Sequence, residues 1–128
     1  MIDLSKFDKS TFRTEGYVRR IEKPWGYELH WAQTDRYVGK VLHVNAGHAL
    51  SLQYHNRKEE TILLWAGRLL FEIERDGSLA RLEMTPGDRV HVPPGTVHRM
   101  TAIEDCEIFE VSTPELDDVV RVEDDYGR

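Results

Sequence analysis

Cysteine is nearly absent from this chain of 128 residues, since Cys106 stands alone. A lone cysteine excludes a disulfide within the chain and favours a reducing compartment. No apolar run approaches the ~18 residues that a membrane-spanning helix needs, and the charged N-terminus lacks the apolar core of a secretory signal. A surplus of positive charge is missing too, because the net charge is −6 and nucleic-acid-binding proteins present a basic face. These absences predict a cytoplasmic protein that binds neither membranes nor nucleic acids.

Helical periodicity is also missing, because no segment sustains it over several turns. The chain instead shows short runs rich in β-branched and aromatic residues, separated by turn residues. Asp76-Gly77 is a strong β-hairpin signal. The runs predicted as strands are 17–21, 27–31, 37–44, 50–55, 60–65, 68–74, 79–84, 89–92, 97–102 and 106–112. Such a series, in a chain with 40% hydrophobic residues, predicts one all-β domain, a sandwich or barrel.

The two ends differ from this pattern of strands. Residues 1–15 are mixed and polar, and we expect them to form an N-terminal arm ahead of a domain spanning 16–128. Residues 114–128 are acidic with alternating valines, which predicts a short strand followed by a tail. The alternative for this segment is a solvated, disordered end.

Residue types that bind metals are concentrated in the stretch 47–67, GHALSLQYHNRKEETILLWAG. Gln53 and His55 lie two residues apart, so they share one face of a strand. The polar residues 56–58 predict a turn, after which Glu60 can face the same point. His98 follows a Pro-Pro-Gly turn and supplies another donor. Two imidazoles, one carboxylate and one amide oxygen suit a divalent transition metal. A metal-free polar interior is the alternative, but an unpaired buried Glu60 is costly.

Two spaced motifs in this sequence resemble those of the cupin superfamily. They are Gly47, five residues, Gln53-x-His55, Glu60, six residues, Gly67, and then Gly87, five residues, Pro93-x-Gly95, two residues, His98. Most metal cupins carry His where Gln53 stands. A narrower resemblance accounts for this departure: the cupin domain of type II mannose-6-phosphate isomerases, which also ends the bifunctional isomerase/GDP-mannose pyrophosphorylases. That group is similar in the segments KPWGY, LSLQ-x-H, VP-x-G-x-x-HR and VRVED-x-YGR.

The resemblance implies a single jelly-roll barrel that interconverts mannose 6-phosphate and fructose 6-phosphate with one divalent metal ion. It favours Zn, while Mn, Fe, Co and Ni fit the same donors. The implied ligands are Gln53, His55, Glu60 and His98. The nucleotidyltransferase domain of the bifunctional enzymes has no counterpart in this sequence, so pyrophosphorylase activity is not expected.

Lys40, Glu110 and Arg128 are candidates for a catalytic role. Lys40 alternates with apolar residues in the run 37–44, so it is either a buried cation near the metal or a side chain that snorkels at a rim. Glu110 is either a site carboxylate or an ordinary edge-strand residue, and the resemblance favours the site for both. Arg128 ends a segment whose arginine serves the active site in the related group, although most terminal arginines are inert. The catalytic base stays open between Glu110 and a metal-bound water.

The sequence does not decide the roles of several other charged residues. Lys58 and Arg99 flank ligands, but strand alternation points them away from the site or into the turn, so a surface position is equally consistent. Any of Arg128, Lys40 and Arg99 could hold a phosphate. The histidines without a spacing partner, predicted to be structural or exposed, are His43, His48 and His91.

Two further expectations concern function and assembly. The main alternative to an isomerase is a non-catalytic cupin that binds a sugar or sugar phosphate in the same pocket. Metal-dependent oxygenation is disfavoured, because cupin dioxygenases commonly present three histidines to iron and Gln53 breaks that set. Apolar side chains at outward strand positions predict a homodimer. These positions are Leu52, Tyr54, Leu63 and Trp65.

Overall fold

The computed structural model describes residues 19–128, which form eleven β-strands and no helix. The predicted arm, residues 1–15, and the start of the run 17–21 lie outside the described residues. The strands are β1 (Arg19–Lys23), β2 (Gly26–Gln33), β3 (Val38–Val44), β4 (Leu52–Tyr54), β5 (Glu60–Ala66), β6 (Leu69–Arg75), β7 (Ser78–Met84), β8 (Arg89–Val92), β9 (His98–Ala102), β10 (Cys106–Ser112) and β11 (Val120–Glu123). The all-β prediction is confirmed. Within the described part of the chain, no helical segment has the length and apolarity needed to cross a membrane.

Two antiparallel sheets share one apolar core. The six-stranded sheet has the order β1-β2-β3-β10-β5-β8, and the five-stranded sheet has the order β11-β4-β9-β6-β7. The core takes Leu42 and Ile62 from the first sheet and Phe71 and Met100 from the second. Burying a side chain of this size contributes about 1.5–3 kcal/mol. The core therefore joins the sheets into a single two-layered domain.

Strand alternation turns charged residues inward together with apolar ones. Val38, Lys40, Leu42 and Val44 alternate along β3, and all four are buried. Lys40 lies directly opposite Glu110 of β10 in the sheet. The inner face of the six-stranded sheet therefore carries opposite charges side by side. Because these charges are buried, each would be costly without the other as its partner.

Two turns depend on backbone conformations that favour glycine. At the β6–β7 hairpin, Asp76 and Gly77 have φ values of 52° and 81°, as a type I′ turn requires. Gly67, the last residue of the first motif, has a φ of 93°, and a Cβ atom there would collide with the carbonyl oxygen of Asp105. Glycine is therefore required where the chain passes from β5 into β6.

The strand predicted near the C-terminus is present as β11, which pairs with β4. Strand β4 is shorter than the predicted run 50–55, and His55 lies just beyond its end. Leu52, expected to face outward, is buried and only 8% exposed. Trp65, by contrast, is 63% exposed. The predicted outward apolar face is therefore smaller by one residue.

Candidate metal centre

Three donor side chains, two at the starts of strands and one just after a strand, meet inside the domain. Glu60 is the first residue of β5, His98 is the first residue of β9, and His55 follows β4. Their ligand atoms all lie within 4.8 Å of one another. Glu60 Oε1 is 3.1 Å from His98 Nε2 and 3.7 Å from His55 Nε2. All three side chains are buried, so each polar atom needs a partner other than bulk water.

Backbone carbonyl groups set how both imidazole rings are turned. His55 Nδ1–H donates to the carbonyl of Asp118 at 2.6 Å, and His98 Nδ1–H donates to the carbonyl of Thr96 at 2.9 Å. A carbonyl only accepts, so Nδ1 carries a proton in both rings, and in the neutral form of each ring Nε2 is the atom with a free lone pair. Neither Nε2 atom has a hydrogen-bond partner among residues 19–128. Two buried lone pairs beside a carboxylate fit a bound cation, and carbonyl-oriented imidazoles are typical of metal-binding histidines.

The charge of Glu60 also fits a cation. Burial by itself raises the pKa of this carboxyl group. Its neighbours, among them the ammonium group of Lys58 at 3.0 Å, outweigh burial, so the pKa lies well below its ordinary value. One carboxylate and two imidazole nitrogens form a donor set that fits Zn and also Mn, Fe, Co and Ni.

Gln53, the fourth predicted ligand, lies next to this cluster. It pairs across the sheet with His98 and lines the same cavity as His55 and Glu60. Its Oε1 accepts a hydrogen bond from Ser51 Oγ at 2.6 Å. An amide oxygen has two lone pairs, so one is left for a second partner. Gln53 therefore lies beside the three candidate donors, and its binding to the metal stays a prediction.

A cavity of about 330 Å³ is lined by two of the three donors, His55 and Glu60, while His98 lies behind them and outside the lining. Most of its charged and polar lining comes from the inner face of the six-stranded sheet and from the C-terminal segment. This lining consists of Arg19, Lys23, Glu28, His30, Lys40, Gln53, His55, Lys58, Glu60, Glu110, Asp117, Arg121 and Arg128. A wall with so many charged groups suits a small hydroxylated or anionic ligand better than an apolar one.

Buried ion pairs connect the three donors to the rest of the wall. Lys58 Nζ lies 3.0 Å from Glu60 Oε2 and 3.1 Å from Glu110 Oε2. Lys40 Nζ lies 3.8 Å from Glu110 Oε2 and 3.3 Å from Glu28 Oε1. Burial lowers the pKa of Lys58, but the carboxylates of Glu110 and Glu60 outweigh it and raise the pKa above its ordinary value. Lys40 and Glu110, both predicted from alternation, thus lie in one buried network at the cavity.

Lys58 and Arg99, which the sequence left open, have opposite placements. Lys58 is buried in the network just described, so the surface interpretation is wrong for this residue. Arg99 is absent from the described residues that line the cavity, and its Nε pairs with Glu72 at 3.2 Å. Alternation along β9 turns Arg99 away from His98. Arg99 therefore does not hold a phosphate in this cavity, which corrects that expectation.

Sequence reasoning missed Glu28 and His30, which line the cavity from β2. His30 is buried, and its Nε2–H donates to Glu28 Oε1 at 2.7 Å. Burial raises the pKa of Glu28, but Lys40, His30 and Lys23 outweigh it and lower the pKa overall. Burial also lowers the pKa of His30, which favours the neutral imidazole. Period-two alternation in the run 27–31 places Glu28 and His30 on the same face of the strand, but it does not show that this face belongs to a site.

The C-terminal tail brings Arg128 to the edge of the cavity. The Nε–H and the backbone N–H of Arg128 both donate to Asp124 Oδ2 at 2.9 Å. Tyr126 packs against the core, and its hydroxyl hydrogen-bonds with His48 Nδ1 at 2.7 Å. The guanidinium group is therefore oriented by its own segment and lines the cavity, whereas a free terminal arginine would sample many positions.

Comparison with protein families and curated proteins agrees with this architecture. The family described as "Mannose-6-phosphate isomerase C-terminal" matches residues 10–124. The Xanthan biosynthesis protein XanB of Xanthomonas campestris pv. campestris (strain B100) is 31% identical over 126 residues, covering 94% of this chain and 26% of that protein. The mannose-1-phosphate guanylyltransferase of Escherichia coli (strain K12) is 30% identical over 115 residues, covering 86% of this chain and 23% of that protein. The chain thus spans about a quarter of the length of these curated relatives.

Solved structures resemble the chain in fold. KdgF from Halomonas sp. superposes with a TM-score of 0.66 at 20% identity, covering 82% of this chain and 97% of KdgF. The capsular polysaccharide assembling protein CapF of Staphylococcus aureus gives 0.70 at 17% identity, covering 94% of this chain and 36% of CapF. Oxalate decarboxylase of Bacillus subtilis gives 0.69 at 17% identity, covering 83% of this chain and 30% of that enzyme. At such identities the likeness establishes the fold, and function needs the site. The chain has the cupin fold and belongs to the mannose-6-phosphate isomerase C-terminal family.

Proposed function

We propose that this protein is a metal-dependent isomerase that interconverts mannose 6-phosphate and fructose 6-phosphate. The observation that carries the proposal is the cluster of His55, Glu60 and His98, in which neither Nε2 atom has a hydrogen-bond partner among residues 19–128. His55 and Glu60 also line a cavity together with several cations. Family membership supports the choice of substrate, because the description of the matching family names mannose-6-phosphate isomerase. A polar cavity of about 330 Å³ also suits a ligand of hexose-phosphate type.

The reaction transfers one proton between C2 and C1 of the open-chain sugar, and a second proton between the oxygens on these two carbons, by way of an enediol. A metal held by His55, Glu60 and His98, with Gln53 as a further donor, would polarise the carbonyl group and stabilise negative charge on the neighbouring oxygen. Glu110 is the carboxylate that takes the proton from one carbon and returns it to the other. Lys58, in contact with both Glu60 and Glu110, holds this carboxylate beside the metal ligands.

Arginine side chains at the cavity supply the partner for the phosphate group. Arg128 and Arg121 both line it, and the planar guanidinium fork matches phosphate oxygens in bidentate fashion. Asp124 orients Arg128 before any ligand arrives, which reduces the entropy lost on binding. In this proposal the metal ligands act on the carbonyl end of the sugar and the arginines act on its phosphate end.

The test of this function is a turnover assay on metal-loaded protein. We expect mannose 6-phosphate to be converted to fructose 6-phosphate, chelation to abolish the rate, and Zn, Co or Mn to restore it. A coupled assay measures the product, and elemental analysis measures the metal on the same sample. Absence of isomerisation with every hexose 6-phosphate tested on a fully loaded sample would refute the isomerase. Ligand binding without turnover would then identify the non-catalytic cupin.

Arg128→Ala tests the role of the tail within the same assay. We expect kcat/KM to fall about tenfold or more, because a charge-assisted hydrogen bond to a phosphate is lost, while the bound metal stays unchanged. Arg75→Ala is the matched control, since Arg75 is exposed at the β6–β7 hairpin and lies outside the cavity lining. Equal rates in both variants would leave the isomerase in place and remove the assignment of Arg128.

We also propose that the protein forms a homodimer through the outer face of the six-stranded sheet. An apolar groove on this face includes Trp31, Leu63, Phe109 and Val111, and Trp65 stacks on Phe109 with ring centroids 5.3 Å apart. Monomers rarely expose apolar patches of this kind. Light scattering at micromolar concentration should give twice the chain mass, and Val111→Glu should give the monomer. Leu79→Glu, an exposed position on β7, should leave the dimer intact; a monomeric wild-type protein would contradict the proposal.

A further inference from the structure

The segment between β10 and β11 lies against the loop that joins the two ligands His55 and Glu60. Asp118 makes the contact, although it is 60 or more positions away from this loop in sequence. Its carboxylate accepts hydrogen bonds from three successive backbone N–H groups of the loop. The donors are Asn56 N to Oδ1 at 3.0 Å, Arg57 N to Oδ2 at 2.6 Å and Lys58 N to Oδ2 at 2.9 Å.

Asp118 also contacts one of the proposed ligands directly. Its backbone carbonyl accepts the Nδ1–H of His55 at 2.6 Å. The carbonyl of one residue thus orients the imidazole, and the carboxylate of the same residue fixes the loop that follows. The orientation of His55 and the path of residues 56–58 are therefore coupled through Asp118.

The loop in turn delivers Lys58 to its two carboxylate partners. Lys58 N–H binds Asp118, and Lys58 Nζ contacts Glu60 and Glu110 at 3.0 and 3.1 Å. A loop without the three hydrogen bonds would leave three backbone donors without this partner and would sample more conformations. The donor atoms of His55 and Glu60 would then have to be brought into position at the moment of metal binding.

We propose that Asp118 is a positioning residue for the metal centre, which it orders before the ion binds. This inference rests on the metal site proposed above and adds to it a contact from the C-terminal segment. Groups that orient metal-binding histidines change metal affinity by about 10–100-fold when they are removed. The same is expected here, because the side chain of Asp118 holds its own carbonyl against His55.

The experiment measures metal affinity in folded protein, with Asp118→Asn compared with wild type. Asparagine keeps the shape but replaces one acceptor oxygen by an NH₂ donor, which faces backbone donors. A competition titration of Zn or Co against a chromophoric chelator gives the Kd of each protein. The titration is carried out at a temperature well below the unfolding temperature of both proteins. We expect Asp118→Asn to bind about 10–100-fold more weakly, with a changed visible spectrum of bound Co. Asp125→Asn removes the same charge from an exposed position in the tail and should bind as wild type does.

The outcomes separate this inference from the metal site itself. If wild type retains no ion, the metal site fails. If wild type binds one ion and Asp118→Asn matches its Kd within about threefold and its Co spectrum, Asp118 has only a structural role and the inference is overturned. Amide hydrogen exchange on wild-type protein gives a second measurement that needs no variant. The N–H groups of residues 56–58 should be protected without metal, and exchange at the rate of an exposed loop would also overturn the inference.

Discussion

Replacing His55 and His98 together by alanine should empty the metal centre. Bound metal is expected to fall from about one ion per chain to a small fraction of that value, and isomerase activity should fall with it. The reason is that the variant keeps Glu60 and the amide of Gln53 but loses both Nε2 atoms, which have no hydrogen-bond partner within the described residues 19–128. Elemental analysis after dialysis against metal-free buffer measures the loss.

The matched control is a second double variant, His43→Ala/His91→Ala. His91 is exposed and pairs with Glu59, and His43 contacts Glu107, so neither belongs to the cavity lining. This control should retain its metal while losing the same number of imidazoles. Stoichiometric metal in the His55/His98 variant, or equal losses in both variants, would place the ion elsewhere and reject the proposed ligands.

Lys58→Met should give the largest loss of stability among single substitutions at the cavity. Lys58 is buried between Glu60 and Glu110, and methionine keeps its length while removing the charge. Two buried carboxylates would then face each other without the cation between them. Breaking a buried pair from one side costs about 3–5 kcal/mol. Urea unfolding of metal-free protein measures this difference in the free energy of unfolding.

Two further variants define the results that would contradict this prediction. Arg68→Met breaks an exposed ion pair with Glu83 and should cost less than about 1 kcal/mol. Adding Glu110→Gln to Lys58→Met should recover part of the loss, because one of the stranded charges is removed. A cost for Lys58→Met no larger than that of the exposed control would show that Lys58 does not balance the carboxylates.

The donors were predictable because the motif spacing converts directly into geometry. Gln53 and His55 share a face through strand period, a polar turn reverses the chain, and Glu60 starts the next strand. Alternation also brought Lys40 and Glu110 into the interior, since each stands among apolar neighbours on one face. The same alternation applies to Glu28 and His30. Their spacing in a short run near a Trp-Gly turn matches no known pattern of site residues, so the sequence did not identify them.

Lys58, Arg99 and Asp118 were decided by contacts between distant segments. Lys58 lies in a polar turn, which sequence reasoning assigns to solvent, and it is buried because Asp118 draws that turn against the C-terminal segment. Arg99 neighbours a ligand in sequence, yet its strand turns it toward Glu72 on the other face. A sequence pattern reports periodicity within a strand and gives no measure of the distance to a residue 60 positions away.

By itself the sequence determined the all-β class, the strand-and-turn order and the residues proposed as donors, because these depend on periods of two and on turn residues over a few positions. Only the tertiary structure decided that both imidazoles present Nε2 to Glu60, since the carbonyl groups of Asp118 and Thr96 set their orientation. It likewise decided that Lys58 closes a buried network and that Arg128 reaches the cavity. These features require segments far apart in the chain to be packed together, and burial then makes their unpaired polar atoms costly enough to require partners.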